Sequence, residues 1–167
     1  MSDTLRSILV GTVGLSATLA VAVAVTLTRG PVRAGSRALT SAARWAVVAT
    51  AVQFAHFAEE FGTGFPQRFP ELFGLAPWPA SFFVSFNLVW ILAWALASRG
   101  LLARRLSAVA VLWFLGIAGL INGLAHPVLA MRSGGYFPGL LTSPLIGAAG
   151  LILMRRLTSI TLPSASD

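Results

Sequence analysis

The 167 residues are 56% hydrophobic and only 10% charged, with a mean hydropathy of +0.82. A soluble domain carries roughly 25% charged residues, so this chain has too little charge to cover a surface facing water. Its twelve cations are all arginine and give a net charge of +7, but they stand between apolar runs and form no basic patch, which argues against a nucleic-acid partner. The absence of cysteine excludes disulfides, thiolate metal sites and cysteine nucleophiles. Any metal site must use nitrogen and oxygen ligands.

Five apolar stretches follow in chain order: Ser7 to Thr28, Ala42 to Phe61, Ala80 to Ser98, Leu106 to Met131, and a shorter one from Leu140 to Met154. Crossing a bilayer takes about 20 helical residues at 1.5 Å each. No sustained alternation of period 2 suggests strands. The pattern predicts an all-α, polytopic membrane bundle of about five transmembrane helices, multi-pass in the cell membrane. Its partner is the lipid bilayer; the oligomeric state is left open.

Arginine placement sets the direction. Arg29, Arg33, Arg37 and Arg44 fall between the first two spans, Arg99, Arg104 and Arg105 between the third and fourth, and Arg155 and Arg156 after the fifth. These nine share one side of an alternating path, against Arg6, Arg68 and Arg132 on the other. The positive-inside rule puts the N-terminus outside and the C-terminus in the cytoplasm. The first span is longer than a usual signal core and is followed by four arginines, so it reads as a retained helix rather than a cleaved signal.

Three parts follow from this reading: residues 1–41 as an N-terminal span with a basic cytoplasmic loop, 42–157 as a four-helix membrane core, and 158–167 as a disordered tail. Gly62 to Pro79 holds four prolines and several aromatic residues, and reads as an irregular segment at the outer interface. Trp45, Trp78, Trp90, Trp94 and Trp113 read as lipid or packing residues.

Few side chains are out of place in lipid, and they gather at one depth. The second span ends in Gln53-Phe-Ala-His56-Phe-Ala-Glu59-Glu60, whose polar members share an arc of about 120° at 3.6 residues per turn. The fourth span carries Gly119, Asn122, Gly123, His126 and Pro127. Gly119 and Gly123 form a small-residue pair suited to close helix approach, with Asn122 and His126 expected to point toward that tight face. Both helices run outward, so both histidines lie near the outer end. Asn87, early in the inward-running third span, falls at the same depth. Ionisable groups inside a span usually face the protein interior and usually serve function.

The order of these motifs resembles the HXXEE family of integral membrane proteins. His56-Phe57-Ala58-Glu59-Glu60 matches the first motif, His126 a further histidine, and Tyr136-Phe137-Pro138-Gly139 a YXPG motif, over about residues 45 to 155. The family has no assigned function, so the resemblance supports a shared site and leaves the reaction open.

The chemistry read from the residues is metal-dependent. His56 and Glu60, one turn apart, would ligate Zn, Fe or Mn together with His126 from the facing helix. Glu59 or the other carboxylate would act as general base. Tyr136 would donate to a substrate or cap the site, and Gln53, Asn87 and Asn122 would support it. Pro138 and Gly139 would set the turn into the fifth helix. The substrate expected from location is a lipid or other apolar small molecule. The alternatives are a metal-free acid-base isomerase or proton relay, a transporter, and a partner-binding protein without catalysis.

Overall fold

The computed structural model describes residues 2–161. These residues form six helices: α1 (Asp3–Arg29), α2 (Ser36–Gly62), α3 (Phe65–Glu71), α4 (Ala80–Leu102), α5 (Leu106–Ser133) and α6 (Ser143–Thr161). Three of them, α1, α4 and α5, are long and apolar enough to cross a membrane, each holding an 18-residue stretch with a mean hydropathy of 2.3, 1.8 and 2.1 respectively. They correspond to the first, third and fourth expected spans. The other two expected spans are α2 and α6, whose apolar character is diluted by Arg37, Arg44 and the site residues in α2 and by Arg155 and Arg156 in α6.

The core is formed by α2, α4, α5 and α6. Helix α2 packs on α4 and α6, and α5 packs on the same two, so α2 and α5 stand at opposite corners and meet across the middle. Helix α1 lies against the outer side of α5. Much of the remaining surface is apolar: Val13, Leu27, Val89, Leu92, Leu124 and Met131 are all well exposed. A surface of this kind suits hydrocarbon better than water.

One seam is far tighter than the rest. A Cβ on Gly123 would lie 2.7 Å from the Cα of Gly147, and a Cβ on Gly150 would lie 2.6 Å from the Gly116 carbonyl oxygen. The α5 and α6 backbones therefore touch along a glycine stripe, as expected of small residues at a helix contact in lipid. Gly119 and Gly123 do form the tight face. That face belongs to α6, whereas Asn122 and His126 turn to a cavity on another side of α5.

Two expectations at the periphery change. The stretch after α2 is partly helical, because Pro66 sits in the first turn of α3, where its missing N–H costs nothing. Phe65, Pro66 and Pro70 are buried, and Trp78 donates to Ser7 Oγ, tying this segment to α1. Helix α6 runs on to Thr161, so the first four residues of the expected tail are helical. Leu157 and Ile160 are buried there, and Arg29 donates to Thr161 Oγ1 and to the Thr158 carbonyl. The remainder of that tail, residues 162–167, lies outside the described residues.

Candidate metal centre

Helix periodicity first selects which residues face inward. His56 and Glu60 stand four apart on α2, and both are buried, with His56 wholly enclosed. His126 on α5 is 2% exposed. Because α2 and α5 occupy opposite corners, their inward faces meet on the bundle axis. Glu60 Oε1 lies 3.5 Å from His56 Nε2 and 3.3 Å from His126 Nε2. The two imidazoles are edge to face, with centroids 4.7 Å apart. All three ligand atoms fall within 4.8 Å of one another.

Hydrogen bonds on the far side of each ring fix its proton. His126 Nδ1 is 2.6 Å from the Pro138 carbonyl oxygen. A carbonyl only accepts, so Nδ1 carries the hydrogen and, in the neutral ring, Nε2 presents a lone pair. His56 Nδ1 is 2.8 Å from Thr142 Oγ1. That hydroxyl donates its single hydrogen to Glu59 Oε2 at 2.5 Å. It must then accept from His56 Nδ1–H, which leaves His56 Nε2 as a second lone pair. His56 Nε2 is buried and has no hydrogen-bond partner among the described residues.

Glu59 has the opposite surroundings. Its carboxylate accepts from the Tyr136 hydroxyl (2.7 Å), the Leu141 N–H (2.9 Å), the Thr142 N–H (2.8 Å) and the Thr142 hydroxyl. Four donors fill its lone-pair positions. It sits at the start of α6, where backbone N–H groups favour an anion. These four bonds hold the Glu59 carboxylate in place and link it to His56 through the Thr142 hydroxyl. Tyr136 is held on Glu59 as well, 39% exposed and outside the lining of the cavity. Burial, and beyond it the bond and charge of Glu59, outweigh the opposing effects of Thr63 and Arg68 and raise its pKa above the usual tyrosine value.

The turn between α5 and α6 does more than reverse the chain. Gly139 has a φ of +86°, and a Cβ there would come 2.5 Å from His126 Cε1 and 2.9 Å from His56 Cε1. Only glycine combines that backbone with that proximity to both rings. The neighbouring Pro138 supplies the carbonyl that orients His126. Above, Phe65 of α3 lies 5.7 Å from the His126 ring and 5.9 Å from Phe137. Arg68 donates to the Tyr136 carbonyl, fastening this aromatic roof to the turn.

The remaining expected residues lie below the triad. Gln53, Asn87 and Asn122 line one cavity with Glu60 and His126. Thr142 and the Pro138 carbonyl are the functional groups that sequence reasoning missed. No local spacing connects Thr142 to His56, 86 residues away, although the YXPG motif marks the turn that carries Pro138.

The model of a family described as a protein of unknown function with HXXEE motif matches residues 45–153, well over half of the chain. The chain belongs to this family. No curated protein and no solved structure matches it. In this HXXEE protein the matched region contains His56, Glu59, Glu60, His126 and the Tyr136–Gly139 motif, whereas α1 lies outside it.

Proposed function

We propose that this HXXEE protein is a multi-pass membrane metalloenzyme whose His56, Glu60 and His126 bind a divalent ion, and which acts on a lipid or other apolar molecule near the outer membrane face. In this reading α1, α2, α4, α5 and α6 span the bilayer, with the N-terminus outside and the C-terminus in the cytoplasm, following the arginine distribution. The observation that carries it is the convergence of acceptors. Two imidazole lone pairs and a buried carboxylate oxygen point at one another with no donor between them. Such a cluster is unfavourable when empty and favourable around a cation.

The two separations from Glu60 fit. Tetrahedral ligands at 2.0–2.1 Å from zinc lie roughly 3.3 Å apart, close to the 3.3 and 3.5 Å seen from Glu60 to the two rings. Two histidines and one carboxylate suit zinc with an open position, or the facial arrangement of non-haem iron; manganese is compatible with the same donors. The bound ion would supply Lewis acidity, and redox chemistry if it is iron. The protein's own parts divide the remaining work. Thr142 with Glu59, and the Pro138 carbonyl, hold the two rings in the metal-binding tautomer, an arrangement whose loss usually weakens metal binding markedly. Phe65 and Phe137 keep water from entering above. Gln53, Asn87 and Asn122 face the cavity where a substrate would lie.

A second reading draws on the same short distances. A proton shared between Glu60 and either Nε2 would serve a metal-free relay for isomerisation. Metal content decides between the two. Protein purified in mild detergent without chelators is expected to carry about one equivalent of Zn, Fe or Mn, and His56→Ala and His126→Ala less than about a tenth of that. A parent that stays metal-free after incubation with each ion would overturn the metalloenzyme reading and leave the relay.

A further inference from the structure

Below the triad, a cavity of about 290 Å³ descends between α2, α4, α5 and α1. A groove of about 190 Å³ between α1 and α4 shares part of its lining. Helix α1 packs on α5, and its seam with α4 is nearly free of close backbone contact. Phe82, Phe86, Trp90 and Phe114 border both spaces, so one aromatic wall runs from the triad toward the outer surface of the bundle. On the five-span reading, that surface faces the bilayer core.

The cavity also contains polar groups without partners. Gln53 is 5% exposed, lines the cavity, and has no side-chain hydrogen bond among the described residues. Asn122 likewise has none, and lies one turn from His126. Asn87 uses its amide nitrogen on the Phe83 carbonyl, and its oxygen has no partner among the described residues. The indole Nε1 of Trp94, on the same wall, is buried and without a partner among the described residues. Unsatisfied amides at membrane depth are costly, and here they stand around an opening rather than against one another.

Charge narrows the ligand further. Among the cavity's lining residues only Glu60 and His126 are ionisable. No arginine reaches it, so a phosphate or carboxylate would enter without a counter-ion and beside Glu60. A volume of 290 Å³ holds about ten water- or methylene-sized units at roughly 30 Å³ each. That accommodates a head group and the first part of a chain.

We propose that the cavity binds an uncharged lipid bearing a hydroxyl or carbonyl oxygen. It enters sideways through the α1–α4 seam, its oxygen hydrogen-bonded by the amides of Gln53 and Asn122 and its hydrocarbon lying on the aromatic wall. The proposal rests on the membrane reading given above and names the substrate class for the same site. It does not require the metal.

Trp78, Trp90 and Trp94 all border the cavity and report on its contents. Detergent-solubilised protein, as purified and after chelator treatment, is titrated with three mid-chain dibrominated probes of equal chain length: a long-chain alcohol, the corresponding fatty acid and the corresponding lysophospholipid. Bromine quenches tryptophan on contact. The expected result is saturable quenching by the alcohol, with the two charged probes at least about tenfold weaker, the loss set by one unmatched buried charge. Gln53→Leu, close in volume, is expected to weaken alcohol binding by about tenfold, the worth of one buried hydrogen bond. Thr12→Phe, at the seam on α1, is expected to slow or block quenching without touching the amides. Equal quenching by all three probes, unchanged in both variants, would mean simple partitioning and would overturn the proposal. Saturable alcohol binding that survives chelator treatment in a protein that never takes up metal would leave this proposal standing and remove the metalloenzyme reading. Metal uptake without selective alcohol binding would do the reverse.

Discussion

Glu59 and Glu60 are adjacent in the chain and occupy sockets of opposite character. The Glu59 socket consists of donors: two backbone N–H groups at the start of α6, a threonine hydroxyl and a tyrosine hydroxyl. The Glu60 socket consists of acceptors, the two Nε2 atoms. A rotation of about 100° along α2 separates the two environments. A carboxylate among donors is complete and can only hold something in place. A carboxylate among lone pairs is incomplete and calls for a cation. On the metal-centre reading proposed above, Glu59 would position and Glu60 would bind, a division that the two letters alone do not reveal.

The sharpest way to break that contrast is Glu60→Gln. An amide can donate to one Nε2, so the cluster of acceptors relaxes while the anionic ligand disappears. Metal content should fall below about a tenth of the parent, while the apparent Tm holds or rises by a few degrees, since removing a buried unpaired charge is often stabilising. Metal retained at parental levels would mean that the two sockets do not differ as described. Gly139→Ala comes next. Its methyl group meets both rings from a left-handed backbone, and overpacking together with that strain should cost about 2–4 kcal/mol. Thermal unfolding in detergent and metal retention should both decline.

Glu59→Gln tests the donor socket. Its NH2 group must face at least one of the four donors, costing about 1–3 kcal/mol. The ring of His56 loses its orientation, so metal affinity should drop about 10–100-fold, as competition with a chelator would measure. Intact affinity would show that Thr142 holds His56 without help. The smallest effect is expected from Tyr136→Phe, about 0.5–1 kcal/mol for one partly exposed hydrogen bond, with metal content unchanged. In the parent, Tyr136 is the only tyrosine, and its folded-state pKa is raised. Its protonated form is thus favoured by folding. That contribution is present below pH 10 and is lost as the pH climbs through the raised value, which an ultraviolet difference titration would detect as a late transition.

Much of this was legible in the residues. The five apolar stretches correspond to helices, and three have the length and hydropathy to cross a membrane. The candidate ligands could be named because His56 and Glu60 obey the i, i+4 rule and because both histidines fall near the outer end of helices that run the same way. What the residues concealed was long-range. Thr142 looks like an ordinary helix start, and its link between Glu59 and His56 exists only once α6 docks on α2. Gly139 looks like turn punctuation, and its second role depends on two rings brought from distant helices. The direction of the glycine stripe was misread for a related reason. Gly147 and Gly150 on α6 decide which partner α5 approaches, and helical spacing within α5 says nothing about them.

Helix α1 supplies Gly11, Thr12, Leu15 and Thr18 to the cavity wall, yet it lies outside the stretch matched by the family model. The proposed ligands and the amides of the cavity therefore lie within the family-matched stretch, while part of the cavity wall comes from a helix outside it. On the readings proposed above, changes confined to α1 would reshape the mouth of the cavity without altering His56, Glu60 or His126.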